Sequence, residues 1–176
     1  IVTRTRTWTF AECAAAARQP EAAIVAEPAI ETLLAIYGAL EARTPLALLH
    51  ARATEAERAR QREALAGATL PGDAAIVLFT SGSTGKARGV VLGRGAVEAA
   101  ARAHARSLGW RDDDRWLLCL PLAHSGGLAI AVRCLAGRRP VVLAEGDVAP
   151  ADVAALARAA RPTLASLVPT QLAALL

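Results

Sequence analysis

The sequence predicts an α/β fold with a mainly parallel sheet flanked by helices. The chain has 176 residues and is 54% hydrophobic but only 3% aromatic, so alanine, leucine and valine must fill the core. Cores of this kind favour helices packed on strands. Short apolar runs alternate with segments of helical periodicity, and no repeat of about 20–50 residues interrupts the alternation, which excludes a solenoid.

The first 72 residues contain three predicted helices and two predicted strands. Thr9 is placed to cap the first helix, which should end before Pro20. Thr54 and Gly67 are placed to begin and end the third helix. In chain order the elements are the helix TWTFAECAAAARQP, the strand AAIVAE, the helix EPAIETLLAIYGALEAR, the strand PLALLH and the helix TEAERARQREALAG.

A turn or linker, ATLPGD, divides the chain into two α/β portions, residues 1–72 and residues 73–176. Strand and helix continue to alternate after it, which predicts parallel pairing. The predicted elements are the strand AAIVLF, a glycine-rich loop, the strand GVVL, a helix over 95–108, a strand in RDDDRWLLCLP, the helix GGLAIAVRCLAG, the strand RPVVLAE, the helix APADVAALARAARP and the strand TLASLVP.

The charge pattern argues against a nucleic-acid partner. The net charge is +4, but the basic residues, nearly all arginine, are scattered over the chain, and few aromatics are available to stack on bases. No apolar run approaches the roughly 20 residues of a membrane span. No leader-like segment opens the sequence, so we expect a cytoplasmic protein without a membrane span.

The cysteines indicate buried reduced thiols. Cys13, Cys119 and Cys134 are far apart, odd in number and without a C-x-x-C pair, which disfavours both a disulfide scaffold and a zinc site. We therefore predict no metal ligands.

The ends of the sequence suggest a piece of a longer protein. The sequence contains no methionine, and its last residues, VPTQLAALL, form the start of an apolar helix without a cap. The alternative is a complete small domain.

The loop TSGSTGKARG, residues 80–89, has the composition of a polyphosphate site. Its three glycines permit backbone conformations that point successive N–H groups into one concavity. The hydroxyls add donors, the chain's only lysine adds a positive charge, and no residue of the loop is acidic. The predicted phosphate-binding residues are Thr80, Ser81, Gly82, Ser83, Thr84, Gly85 and Lys86.

Three alternatives for this loop fit less well. A Walker A loop, G-x-x-x-x-G-K-S/T, would need glycine at Thr80 and a hydroxyl at Ala87. The G-x-G-x-x-G dinucleotide pattern fails because the glycines have the wrong spacing. A plain hairpin turn would not require so many hydroxyls beside a lone lysine.

The stretch FTSGSTGKARGVV, residues 79–91, resembles the phosphate-binding motif of the adenylate-forming superfamily, which includes acyl-CoA ligases, nonribosomal adenylation domains and luciferases. The typical pattern is S/T-S-G-S/T-T-G-x-P-K-G. Ala87 replaces the usual proline and Arg88 the usual lysine, and arginine keeps the charge. The resemblance implies the large N-terminal domain of an acyl-adenylate-forming enzyme, with its C-terminal domain absent here and residues 1–72 as its variable portion.

A second motif, LPLAHSGGLAI, residues 120–130, is similar to the family segment that lines the acyl pocket. Pro121 should end a strand, and the residues after it lie where open α/β sheets bind ligands. The resemblance implies substrate binding by His124, Ser125, Gly126 and Gly127. His50 and His104 have no motif around them and are interpreted as structural or surface residues.

The segment ASLVPTQLAALL, residues 165–176, resembles the o-succinylbenzoate–CoA ligases of menaquinone biosynthesis. A substrate of that kind carries carboxylates, so a cation near the pocket is expected. Arg133, on the helix after the second motif, is the candidate, although a surface role for it is also open. A fatty-acyl or aryl-CoA ligase is the alternative within the superfamily.

The resemblance implies a two-step acid–thiol ligase reaction that uses ATP, Mg²⁺ and coenzyme A, with a small carboxylic acid as substrate and a homo-oligomer as a possible state. The later family motifs, including the C-terminal catalytic lysine, are absent from these 176 residues. We therefore expect no catalytic residue within this piece, and no adenylation by it alone. A non-catalytic nucleotide-binding module and a P-loop NTPase are the alternatives from other classes.

Overall fold

The computed structural model of the chain describes residues 1–17, 21–80 and 88–175. Within these residues helices and strands alternate, as the sequence predicts. The first elements are α1 (Phe10–Ala16), β1 (Ala23–Ala26), α2 (Ile30–Ala42), β2 (Leu46–His50) and α3 (Glu55–Ala66).

The second half of the chain continues the same alternation after the turn near residue 72. Its elements are β3 (Ala74–Thr80), β4 (Arg88–Gly93), α4 (Arg94–Leu108), β5 (Trp116–Leu118), α5 (Ser125–Gly137), β6 (Val141–Leu143), α6 (Pro150–Ala160), β7 (Leu164–Ala165) and α7 (Pro169–Leu175).

The strands form two sheets, where the sequence suggested one. The first has the order β1-β2-β3-β4, with β1, β2 and β3 parallel and β4 antiparallel to β3. The second has the order β6-β5-β7 and is entirely parallel. The mainly parallel α/β class is confirmed. The antiparallel β4 has a simple cause, because residues 81–87 are too few for the crossover that a parallel strand would need.

The two portions predicted on either side of residue 72 share the first sheet. Leu46 of β2 pairs with Ile76 of β3, so the chain on both sides of the ATLPGD turn contributes neighbouring strands. The division at residue 72 is therefore not a boundary between sheets. As a division between variable and motif-bearing sequence it stays a prediction.

The helix caps form where the sequence places them. The Thr9 hydroxyl accepts the Glu12 N–H, and the Glu12 carboxylate accepts the Thr9 N–H, which closes a capping box at α1. Thr54 and Glu57 form the same arrangement at α3. The helix α1 ends at Ala16, and Pro20 lies outside the described residues.

The last predicted strand is shorter than its sequence suggests. Only Leu164 and Ala165 pair with β5. The next residue, Ser166, does not pair with β5. Its Oγ instead accepts a hydrogen bond from the indole N–H of Trp116, at 3.2 Å. The chain then enters α7 at Pro169, which cannot donate to a sheet.

The main core lies between the sheets and the helices α2 and α5. Leu33 and Ile36 of α2 and Ile130 of α5 are fully buried, and burial of each such side chain contributes about 1.5–3 kcal/mol. The Tyr37 hydroxyl donates to the Ala131 carbonyl at 3.3 Å and joins the two helices. Within the described residues, no helix is both long and apolar enough to cross a bilayer.

All three cysteines lie in the described part of the chain and are unbonded to one another. Cys13 and Cys134 are buried and Cys119 is half-buried. Burial raises the pKa of Cys134 to about 12, which keeps it a thiol at neutral pH. The predicted burial is confirmed for Cys13 and Cys134, and their reduced state stays a prediction.

Candidate functional site

The two strands that flank the glycine-rich loop place its ends side by side. Thr80, the last residue of β3, pairs across the ladder with Arg88, the first residue of β4, and both are exposed. The side chains of Arg88 and Thr80 therefore lie on the same face of the sheet, next to the ends of the loop. Of the predicted phosphate-binding residues, the structure describes only Thr80. The predictions for Ser81, Gly82, Ser83, Thr84, Gly85 and Lys86 concern residues outside the described part of the chain.

The second motif forms the connection from β5 to α5. The strand ends at Leu118, a turn follows, and His124 is the N-cap residue of α5 with extended backbone. Its N–H donates to the Pro121 carbonyl at 3.1 Å, and its carbonyl accepts the first helical bond, from Leu128. His124, Ser125 and Gly126 are exposed at this end of the strand. The strand ends at Leu118 and not at Pro121 as the sequence predicted, and substrate binding by these residues stays a prediction.

The two glycines of this motif have different surroundings. Gly127 is buried, and a Cβ there would lie 2.8 Å from the Leu120 carbonyl oxygen and overlap the backbone of Pro121. A Cβ at Gly126 would meet only the end of the Leu120 side chain, at 3.2 Å. Substrate binding by Gly126 and Gly127 stays a prediction. The close approach that Gly127 permits is between α5 and the preceding turn.

His50 lies beside His124, a contact that the sequence interpretation missed. It ends β2, and its ring lies 4.7 Å from the ring of His124, tilted by 50°. Its Nδ1 accepts the backbone N–H of Arg52 at 3.0 Å. Burial lowers the pKa of His50, and the nearby His124 and Arg52 lower it further, which favours the neutral ring. Its place at the carboxyl end of a parallel strand was the available signal.

An exposed ion pair joins the two sheets at the same edge. The guanidinium of Arg52, which follows β2, lies 2.6 Å from the carboxylate of Asp147, which follows β6. A backbone bond from Gly146 to the Pro28 carbonyl, 2.8 Å long, links the same regions. The segments that follow β2 and β6 are therefore neighbours, at the strand ends where open α/β sheets bind ligands.

Arg133 borders a small apolar cavity between α4 and α5. The cavity has a volume of about 300 Å³, and Ser125 reaches it as well. The guanidinium lies 5.3 Å from the centre of the Trp116 ring, and burial lowers the pKa of Arg133. None of the ion pairs among the described residues involves it. The remaining lining residues are Leu92, Ala96, Val97, Ala100, Ala101, Leu128, Ala129 and Val132.

A larger cavity, of about 590 Å³, lies away from these motifs. Its walls come from the amino-terminal residues and from α1, α2, α4 and α5, and include Tyr37 and the buried Cys134. None of the described residues that the sequence assigns to the site lines it. His104, interpreted as structural or surface, lies near Arg133, and burial and that charge lower its pKa. Among the described residues no three His, Cys, Asp or Glu side chains form a group that could hold a metal ion.

Comparison with known proteins now decides the family. A family model of AMP-binding enzymes matches residues 60–176, about two thirds of the chain. The chain belongs to the AMP-binding enzyme family. The family resemblance carried by the glycine-rich loop is thereby confirmed, and this AMP-binding chain contains both motifs within the matched range.

Known AMP-binding enzymes resemble the chain in sequence and in fold. The 2-succinylbenzoate–CoA ligase of Bacillus cereus (strain ATCC 10987) is 44% identical over 61 residues, which are 35% of this chain and 13% of the relative. The structure of o-succinylbenzoate CoA synthetase (MenE) from Bacillus subtilis, in complex with the acyl-adenylate intermediate OSB-AMP, matches with a TM-score of 0.84 and 25% identity. A malonyl-CoA ligase with methylmalonyl-CoA and AMP bound matches with a TM-score of 0.80 and 27% identity.

The AMP-binding chain spans part of each of these proteins. The MenE alignment covers 98% of this chain and 59% of MenE, and the malonyl-CoA ligase alignment covers 97% of this chain and 46% of that enzyme. The expected similarity to the o-succinylbenzoate–CoA ligase group agrees with these alignments.

Proposed function

We propose that the protein containing this chain is an ATP-dependent acid–CoA ligase that acts through an acyl-adenylate, with o-succinylbenzoate as its acid. The observation that carries the proposal is the place of the second motif. His124 and Ser125 stand exposed at the start of α5, and Ser125 and Arg133 border an apolar cavity. Similarity to MenE, whose structure holds the OSB-AMP intermediate, supports the same substrate.

The reaction has two balanced steps. A carboxylate oxygen of the acid attacks the α-phosphorus of ATP, the bond to the β-phosphate breaks, and pyrophosphate leaves. The sulfur of the coenzyme A thiolate then attacks the acyl carbon, the bond to the phosphate oxygen breaks, and AMP leaves with the thioester as product. Because the first step brings two anions together, catalysis depends on holding and neutralising the phosphates.

The described residues supply part of that binding. Arg88 and Thr80 flank the glycine-rich loop and would contact the phosphates, together with the loop residues predicted from the sequence. The first N–H groups of α5 have no partner within the helix, and the positive end of its dipole favours an anion near His124. Mg²⁺ would enter with the nucleotide phosphates, retain several waters and neutralise phosphate charge.

The acid would occupy the small cavity. Its walls, formed by α4 and α5, are mostly apolar and suit the ring of an aromatic acid, and its volume of about 300 Å³ matches a small ligand. Arg133 would face a second carboxylate of the acid. A desolvated guanidinium binds a carboxylate more strongly than an exposed one, because the surrounding dielectric is lower.

The proposal is tested by acid-dependent ATP–pyrophosphate exchange in the full-length protein. The panel contains o-succinylbenzoate, benzoates, medium- and long-chain fatty acids and amino acids. Exchange with o-succinylbenzoate alone supports the proposal. Exchange only with a fatty or aryl acid replaces the substrate and keeps the ligase, and ATP binding without exchange favours a non-catalytic nucleotide-binding module.

The cytoplasmic location and a homo-oligomeric state are also proposals. Coenzyme A and ATP as co-substrates fit a cytoplasmic enzyme, since both are supplied there. Fractionation of cells that express the full-length protein, followed by size-exclusion chromatography with light scattering, measures both. Recovery in a membrane or secreted fraction contradicts the first, and a monomeric mass contradicts the second.

A further inference from the structure

His50 and His124 come from different elements and meet at the carboxyl ends of the strands β2 and β5. His50 ends the parallel strand β2, and His124 begins α5, 74 residues later in the chain. Their ring centres are 4.7 Å apart, with the ring planes tilted by 50°. This separation and tilt lie within the range in which aromatic rings attract one another. The motif contains His124 alone, so His50 has no role assigned by the family pattern.

The ring of His50 is held firmly. Its Nδ1 accepts the Arg52 N–H at 3.0 Å, which places the proton of the neutral ring on Nε2. The strand that carries it is buried, since Leu46, Leu48 and Leu49 are fully enclosed. His50 therefore presents a fixed ring face. Arg52, which lowers the pKa of His50, is itself paired with Asp147.

The ring of His124 has fewer constraints. Its backbone is fixed by the bond to the Pro121 carbonyl, but its side chain does not cap α5 and makes no hydrogen bond among the described residues. Two side-chain torsions would otherwise be free at an exposed position. The contact with His50 restricts them. A histidine that must meet a ligand loses less entropy on binding when its ring is already oriented.

We infer that His50 is a positioning residue, which holds the imidazole of His124 in the orientation that meets the acid or its adenylate. The part about the ligand rests on the proposed function. The part about the two rings does not, and it can be measured without any substrate. His50 touches no reacting group in this account and acts through His124.

The ring contact is tested first, by NMR on the full-length protein labelled with ¹³C-histidine. The His50→Phe and His124→Ala variants assign the two signals by their loss. We expect a cross-relaxation peak between the ring protons of His50 and His124, and a more mobile His124 ring in His50→Ala than in the wild type. Absence of the peak, or an unchanged His124 ring mobility in His50→Ala, overturns the inference whatever the protein catalyses.

The functional consequence is tested by a double-mutant cycle on kcat/KM for the acid. We expect His50→Ala to lower kcat/KM about tenfold in the wild type and less than about twofold in a His124→Ala background, because the effect passes through His124. If His50→Ala lowered kcat/KM by the same factor in both backgrounds, His50 would not act through His124, and its effect would be a general structural one.

Two further substitutions separate the ring from the hydrogen bond. His50→Phe keeps a ring against His124, and we expect it to retain kcat/KM within about threefold of the wild type. His50→Asn keeps an acceptor for the Arg52 N–H but has no ring, and should resemble His50→Ala. The reverse order overturns the inference. A wild type without exchange on any acid, but with the ring contact intact, counts against the proposed function alone.

Discussion

The two ends of the second sheet carry polar groups in opposite states. At the amino ends of β5 and β7 lies Asp114, whose side chain is buried at 7% exposure. Both of its carboxylate oxygens accept hydrogen bonds. Its carboxylate accepts the Thr163 hydroxyl at 2.7 Å and the Arg111 N–H at 2.8 Å. The Thr163 hydroxyl also accepts the Arg115 N–H, at 3.1 Å.

At the carboxyl ends, by contrast, the polar groups face outward. His124 and Ser125 are exposed, and the side chain of His124 makes no hydrogen bond in the described part of the chain. Buried polar groups that are satisfied internally hold the structure together, whereas exposed and unpaired groups remain able to bind a ligand. The Asp114 cluster is therefore satisfied within the protein, whereas His124 and Ser125 are the residues for which we propose ligand binding.

The largest expected effect concerns the packing of Gly127 against the turn before α5. Gly127→Ala places a methyl group against the backbone of Leu120 and Pro121, which cannot move without displacing the start of α5. We expect a loss of about 2–3 kcal/mol in the free energy of unfolding, measured by urea denaturation. Gly126→Ala is the matched control, because it meets only a mobile side-chain end, and it should cost less than about 1 kcal/mol. Equal losses would contradict this packing.

A substitution of Arg133 tests whether the acid binds in the cavity between α4 and α5. Arg133→Gln should lower kcat/KM for o-succinylbenzoate about 10–100-fold in the full-length protein, since a charged hydrogen bond contributes about 1.5–3 kcal/mol. The KM for ATP, which this carboxylate contact does not involve, should change much less. An equal loss for the acid and for ATP would mean that Arg133 acts through its packing on Trp116.

A substitution of Thr163 tests whether the hydrogen bonds around Asp114 stabilise the fold. Thr163→Val removes a donor from the buried carboxylate of Asp114 and an acceptor from Arg115, and we expect a loss of about 1–2 kcal/mol in unfolding free energy. Ser166→Ala, which removes a single partner from the Trp116 indole, should cost less. The Kd for ATP in the full-length protein should stay unchanged in both variants. A weaker Kd in Thr163→Val would show that the two clusters are coupled.

The smallest expected effect is the contribution of Asp114 to acid sensitivity. The Thr163 hydroxyl and the Arg111 N–H hold the pKa of Asp114 below its usual value. Its stabilising contribution is therefore present above the ordinary pKa near 4 and is lost as the pH falls through the lower, folded value. Unfolding midpoints measured from about pH 6 to about pH 3 should fall less steeply in Asp114→Asn than in the wild type.

This difference between variants is the quantity to compare. Glu12, Glu55 and Glu57 also have lowered pKa values and add to the acid sensitivity of both proteins. Parallel slopes for the wild type and Asp114→Asn would contradict the assigned role of the Asp114 carboxylate.

Local patterns were enough to predict most elements. Thr9 and Thr54 begin helices because a hydroxyl followed three residues later by glutamate forms a capping box from local sequence alone. The motif histidine was equally accessible, since the position of His124 follows from the few residues around it. Sheet membership was not accessible in this way, because it depends on pairings between residues far apart in the chain.

The sequence by itself determined the α/β class, the helix caps at Thr9 and Thr54 and the motif that carries the family resemblance. Each of these depends on composition or on contacts within a few residues. Only the tertiary structure decided that the strands form two sheets and that Gly127 packs against Leu120 and Pro121. It also placed His50 against His124, although 73 residues separate them in the sequence. Such contacts between distant residues depend on how whole elements pack, and no local pattern encodes that packing.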